Sequence, residues 1–172
     1  MRTRDVLAEG FGRVREAVHE AVDGLTAEEL SRQPWPGANT AGWLVWHLTR
    51  VQDDHVAEVA GRTQVWTGEG WADRFGLPLE TDDIGYGHTA EQMAAVRVKA
   101  AADLLGYYDA VHARTLDFVA STGDDDLERV VDKAWNPPVT LGVRLVSVLA
   151  DDLQHAGQAA YVRGVLRSGA PD

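Results

Sequence analysis

No cysteine occurs among the 172 residues, so disulfides, thiolate zinc sites and cysteine nucleophiles are excluded from this chain's own chemistry. Basic residues are scarce beside acidic ones, 16 against 27, and the formal net charge of -11 disfavours a nucleic-acid partner held through phosphates. Metal cations suit that balance better, and six histidines are present to meet them. No apolar run reaches the roughly 18 residues that a membrane-spanning helix needs. The opening residues lead straight into an amphipathic pattern without a signal-peptide core, so a soluble, cytoplasmic protein with no membrane partner is expected. Neither a phosphate loop nor a dinucleotide fingerprint is found. The length suits one domain with a single core.

What is present is helical periodicity. Leu7, Phe11, Val14, Val18 and Val22 recur three and four apart, predicting a helix over Arg4 to Asp23 that Gly24 ends. Thr26 and Glu29 form a capping-box pattern for one short turn before Pro34. Asn39 or Thr40 caps a second helix over Ala41 to Ala60. Thr89 and Gln92 open a third, which the stripe Met93, Val96, Ala100, Leu104, Tyr107, Val111 and Phe118 carries to about Ala120. A short helix is expected over Asp126 to Val131, a rigid extended link at Trp135 to Pro138, a last long helix over Thr140 to Arg167, and a loose tail from Ser168 to Asp172. No convincing strand pattern appears. Between Gly61 and His88 glycines alternate with Trp66, Trp71, Phe75 and Tyr86, a segment long enough to be a lid or binding loop. The expected fold is therefore an all-α four-helix bundle with a long aromatic-bearing loop between helices two and three.

Three polar residues fall on the buried stripes of that bundle. Asp151 and His155, four apart, stack on one helical face, and His47 lies inward on another helix. Two imidazoles and a carboxylate are the donors of open catalytic zinc sites and of facial-triad iron sites. Spacing alone leaves two readings open, a metal site or hydrogen-bonded core histidines beside an intrahelical pair. Asp54 and His55 are candidate partners for orienting His47. His88 reads as a loop-cap residue, and His19 and His112 as surface or core residues.

The run Thr40-Ala41-Gly42-Trp43-Leu44-Val45-Trp46-His47-Leu48 with Asp53-Asp54-His55, and the segment Asp151 to His155 followed by Gly157-Gln158, resemble the second and fourth helices of the DinB-like four-helix-bundle superfamily. That superfamily includes mycothiol-dependent maleylpyruvate isomerase and S-transferases that use bacillithiol or mycothiol. The resemblance spans nearly the whole chain and implies that His47, Asp151 and His155 hold a divalent metal. Where the family has His or Glu this chain has Asp151, one methylene shorter than Glu, and Asp152 is the alternative carboxylate.

The implied function is a metal-dependent thiol S-transferase or isomerase acting on a small electrophile. Zinc is the first expectation for the metal, with nickel or iron compatible, and the thiol is external because the chain has none. Arg50, Trp66, Trp71, Arg144 and Gln158 are candidates for binding substrate or thiol, and Trp43, Trp46 and Tyr86 for lining the pocket. Two other readings remain: a non-catalytic metal- or ligand-binding bundle, with a homodimer as its partner, and an iron oxygenase.

Overall fold

The structure, a computed structural model, describes residues 2–169. Four long helices form the bundle: α1 (Thr3–Val22), α3 (Ala41–Ala60), α7 (Ala101–Ser121) and α8 (Leu141–Arg167). Short helices join them: α2 (Ala27–Ser31), α4 (Val65–Gly68), α5 (Trp71–Phe75) and α6 (Ala90–Ala95). A 3₁₀ turn at Asp125–Glu128 leads into a two-stranded hairpin, β1 (Val130–Asp132) antiparallel to β2 (Val139–Thr140). Helix α8 packs on both α1 and α3, and α7 closes the ring by packing on the same two. The expected tail lies mostly outside the described residues, at 170–172. Among the described residues no helix is long and apolar enough to cross a membrane.

Caps set the helix limits as expected. Thr26 and Thr89 form reciprocal capping boxes with Glu29 and Gln92. The Thr40 hydroxyl accepts from the Trp43 N–H at 3.1 Å, and Gly61 ends α3 in the left-handed conformation at φ 63°. Leu7, Phe11, Val14, Val18 and Val22 are all buried along α1.

Three expectations are corrected. The third helix is not continuous: α6 ends at Ala95, residues 96–100 run without helix, and α7 begins at Ala101. Val96 and Val98 are buried while Arg97 and Lys99 face solvent, an alternation of period two that belongs to extended chain. The helix expected over Asp126 to Val131 is a 3₁₀ turn that gives way to β1, so a small hairpin stands where no strand was foreseen.

Helix α3 is the most enclosed element, and even Thr49, Arg50, Gln52 and Asp53 are buried. Buried polar groups must be paired. Asp53 accepts from the Val65 and Trp66 N–H groups at 2.9 and 2.8 Å, capping α4, and from the Tyr107 hydroxyl at 2.8 Å. Arg50 lies 3.7 Å from Asp53 and donates to Gln64 at 2.8 Å, to Tyr107 at 3.3 Å and to the Asp83 carbonyl at 3.2 Å. Its guanidinium also rests 5.0 Å from the centre of the Trp66 ring. Burial pushes the Asp53 carboxyl upward, and its three hydrogen bonds and then Arg50 oppose that shift.

This network ties the segment after α3 to both α3 and α7. Asp53→Ala strands a buried guanidinium and unpairs two backbone N–H groups, so it is expected to cost about 3–5 kcal/mol in stability. Urea unfolding measures this, and a loss below about 1 kcal/mol would show that the network is not holding the segment.

Candidate metal centre

His47 on α3 meets Asp151 and His155 on α8, with one donor atom from each lying within 4.8 Å of the others. The His47 and His155 rings cross edge to face, with centroids 5.0 Å apart. His155 Nε2 is 3.6 Å from Asp151 Oδ1, while Asp151 Oδ2 is shielded from solvent and has no hydrogen-bond partner. His47 is 6% exposed, and the other two are partly buried.

The outer nitrogen of each imidazole is already committed. His47 Nδ1 faces the Ile84 carbonyl, which can only accept, so Nδ1 carries the proton and Nε2 keeps its lone pair. His155 Nδ1 is 3.0 Å from Gln158 Oε1, which likewise leaves Nε2 as the basic atom. Metal-binding histidines are commonly oriented in this way by an acceptor on the second nitrogen. Burial lowers the His47 pKa first of all. The nearby His155 lowers it further, while the bond to Ile84 and the Asp151 charge oppose the shift. A neutral imidazole is the form that can donate to a cation.

The Ile84 carbonyl is held by its neighbours. Asp83 accepts from the Gly85 N–H at 2.7 Å and from His88 Nε2 at 2.9 Å. His88 Nδ1 in turn accepts from the Trp43 indole at 3.1 Å, and the Trp43 ring stacks on His47 at 4.7 Å. Gly85 sits at φ +87°, where a Cβ would lie 2.8 Å from His47 Nδ1. Only glycine allows the chain this close.

The family model for mycothiol-S-transferase matches residues 6–168. The chain belongs to that family, and with it to the DinB-like superfamily. A crystal structure described as a conserved protein of locus from Enterococcus faecalis has the same fold. It is 32% identical, with a TM-score of 0.90 over 98% of this chain and 99% of that one. No curated protein matches.

Within this member of the mycothiol-S-transferase family, several residues expected at the site serve elsewhere. Arg50 is fully buried in the Asp53 network and cannot reach a substrate. Trp66 packs among Trp46, Phe75 and Tyr107, and Trp71 packs on Phe75 and Tyr107. The 61–88 segment thus reaches the cluster through the backbone at Ile84 and Gly85 rather than through those rings, and Tyr86 points outward at 88% exposure. Arg144 is paired with His55 at 2.7 Å and Asp132 at 3.2 Å, two turns along α8 from Asp151.

Ile84, rather than Asp54 or His55, orients His47. A backbone acceptor leaves no signature in residue type, although the glycines on either side of Tyr86 mark a close turn. His88 is more than a cap, since it links Asp83 to Trp43 and stacks on Trp46. His19 pairs with Asp109, and His112 stacks on Tyr108. Asp152 stands apart from the cluster. It is fully buried, neither oxygen is hydrogen-bonded, and burial, then the Asp151 charge, pushes its pKa well above the usual carboxylate range.

The lowered pKa of His47 has a defined sign in pH-dependent stability. Between the folded value and the unfolded value of about 6.5, the unfolded chain binds more protons. The contribution is therefore complete above the unfolded value and is lost as pH falls toward the folded one. Metal-free protein should melt progressively lower as pH falls below about 6.5, and His47→Gln should flatten part of that slope. A His47→Gln melting profile as steep as wild type would refute the assignment.

Proposed function

We propose that this chain is a metal-dependent S-transferase that joins a small external thiol to an electrophile. The observation carrying this reading is the convergence of His47 Nε2, Asp151 and His155 Nε2 with both outer imidazole nitrogens already occupied. Two imidazole nitrogens and a carboxylate with an unpartnered buried oxygen fit a divalent ion such as zinc, and three protein donors leave a position open. When bound, such an ion favours thiolate over thiol at neutral pH.

The chain's own groups set the surroundings. Ile84 and Gly85 press against His47 and limit water on that side. Trp43 stacks on the His47 ring and keeps it from rotating. In the transfer, a carbon–sulfur bond forms at the thiol sulfur and the bond to the leaving group breaks. The leaving group takes the electron pair, and the thiol proton passes to solvent. With no cysteine present, the sulfur comes from outside, and the family to which the chain belongs supports mycothiol as that thiol.

Zinc-loaded protein given mycothiol and chlorodinitrobenzene should consume both in equal amounts. His155→Ala should abolish stoichiometric zinc and turnover together, and Gln158→Ala should weaken zinc about 10–100-fold by freeing the outer nitrogen of His155. Turnover by His155→Ala at the wild-type rate would overturn the mechanism. Tight zinc with no turnover on any small thiol would instead favour a non-catalytic binding module.

A further inference from the structure

Beside the cluster, the loop between α2 and α3 and the C-terminal half of α8 line an open cleft of about 720 Å³. We propose that this cleft binds the electrophilic substrate and selects an uncharged aromatic molecule. The proposal rests on reading the neighbouring cluster as the thiol-activating centre.

Charge is the first indication. A quarter of this chain's residues are charged, yet none of the residues lining the cleft is. Its polar groups are the amides of Asn39, Gln154 and Gln158 and the hydroxyl of Tyr161. A charged guest would give up part of its water there and gain no opposite charge. The cavity at the other end of the α3–α8 groove differs, being lined by Asp54, His55, Glu58, Asp132 and Arg144.

Two aromatic rings give the cleft its preference. Trp35 and Tyr161 line it and are 50% and 63% exposed. Trp35 is held in place by a tight turn in which the Ala38 N–H donates to the Trp35 carbonyl at 3.1 Å. Pro36 and Gly37, the latter at φ +84°, occupy the two central positions that a type II turn favours for these residues. The Gln33 amide braces the turn by donating to the Ala38 carbonyl at 2.9 Å. A flat aromatic guest covers such rings without ordering a long side chain, and clefts of this size suit small molecules.

The cleft is also joined to the cluster. Gln158 lines it and accepts from His155 at 3.0 Å, so a guest touching Gln158 lies one side chain from the proposed metal ligands. Gly157 keeps the wall open, because a Cβ there would meet nothing within 4 Å. A larger residue at this helical position would fill the cleft without striking the fold.

The test is calorimetric titration of zinc-loaded full-length protein with meta-dinitrobenzene, which is neutral and has no leaving group, and with dinitrobenzoate, its anionic counterpart. The neutral compound should bind once per chain and about tenfold or more tightly than the anion; Gly157→Leu and Trp35→Ala should each weaken it about tenfold with zinc stoichiometry unchanged. Zinc-free His155→Ala should still bind it, which separates failure of the metal reading from failure of the cleft. Equal binding of both compounds, full affinity in Gly157→Leu, or no binding because a second copy covers Tyr161 in a dimer seen by sedimentation would each overturn the proposal.

Discussion

The bond from His47 Nδ1 to the Ile84 carbonyl is the constraint on which the arrangement of the site depends. It selects the tautomer of the buried imidazole and therefore which nitrogen faces Asp151 and His155. It also brings the backbone to van der Waals contact with the ring, which requires Gly85. A carbonyl in an irregular segment holds such a position only if its neighbours are fixed. Asp83, His88 and Trp43 fix it from one side and Arg50 from the other, through the Asp83 carbonyl. The long stretch after α3 is thus a support for one side chain, with Trp66 and Phe75 anchoring it in the core.

Polar burial takes two forms along α3 and α8. Around Asp53 both carboxylate oxygens are matched by backbone N–H groups, a hydroxyl and a nearby guanidinium. At the cluster, one possible ligand atom from each of His47, Asp151 and His155 lies within 4.8 Å of the others, and one oxygen of Asp151 has no hydrogen-bond partner. Those three atoms are of the types that a divalent cation accepts. Asp152 differs from both, being fully buried and unpaired, and burial pushes its pKa up.

Much of this was legible in the sequence because helical spacing and caps report the same boundaries independently. The inward placement of His47 followed from period 3.6, whereas Asp151 and His155 are half-buried beside the α8 stripe, whose fully buried carboxylate is Asp152. The break before α7 was missed because Met93, Val96, Ala100 and Leu104 also satisfy a helical stripe, and no glycine or proline interrupts them. The competing signal was the strict alternation Val96-Arg97-Val98-Lys99. Arg50 and the tryptophans misled for a different reason. Residue type marks a side chain as able to bind ligand, but only tertiary packing decides whether it faces a cleft or the core. Trp35, which lines the cleft, lies in a loop where no periodicity assigns a face.

The most direct measurement is X-ray absorption at the zinc edge on protein loaded with one equivalent of zinc. The account predicts a first shell of nitrogen and oxygen at about 2.0–2.1 Å with the multiple-scattering signature of two imidazoles, and sulfur joining at about 2.3 Å when mycothiol is added. An all-oxygen shell without imidazole scattering would contradict it, because zinc would then be held away from His47 and His155.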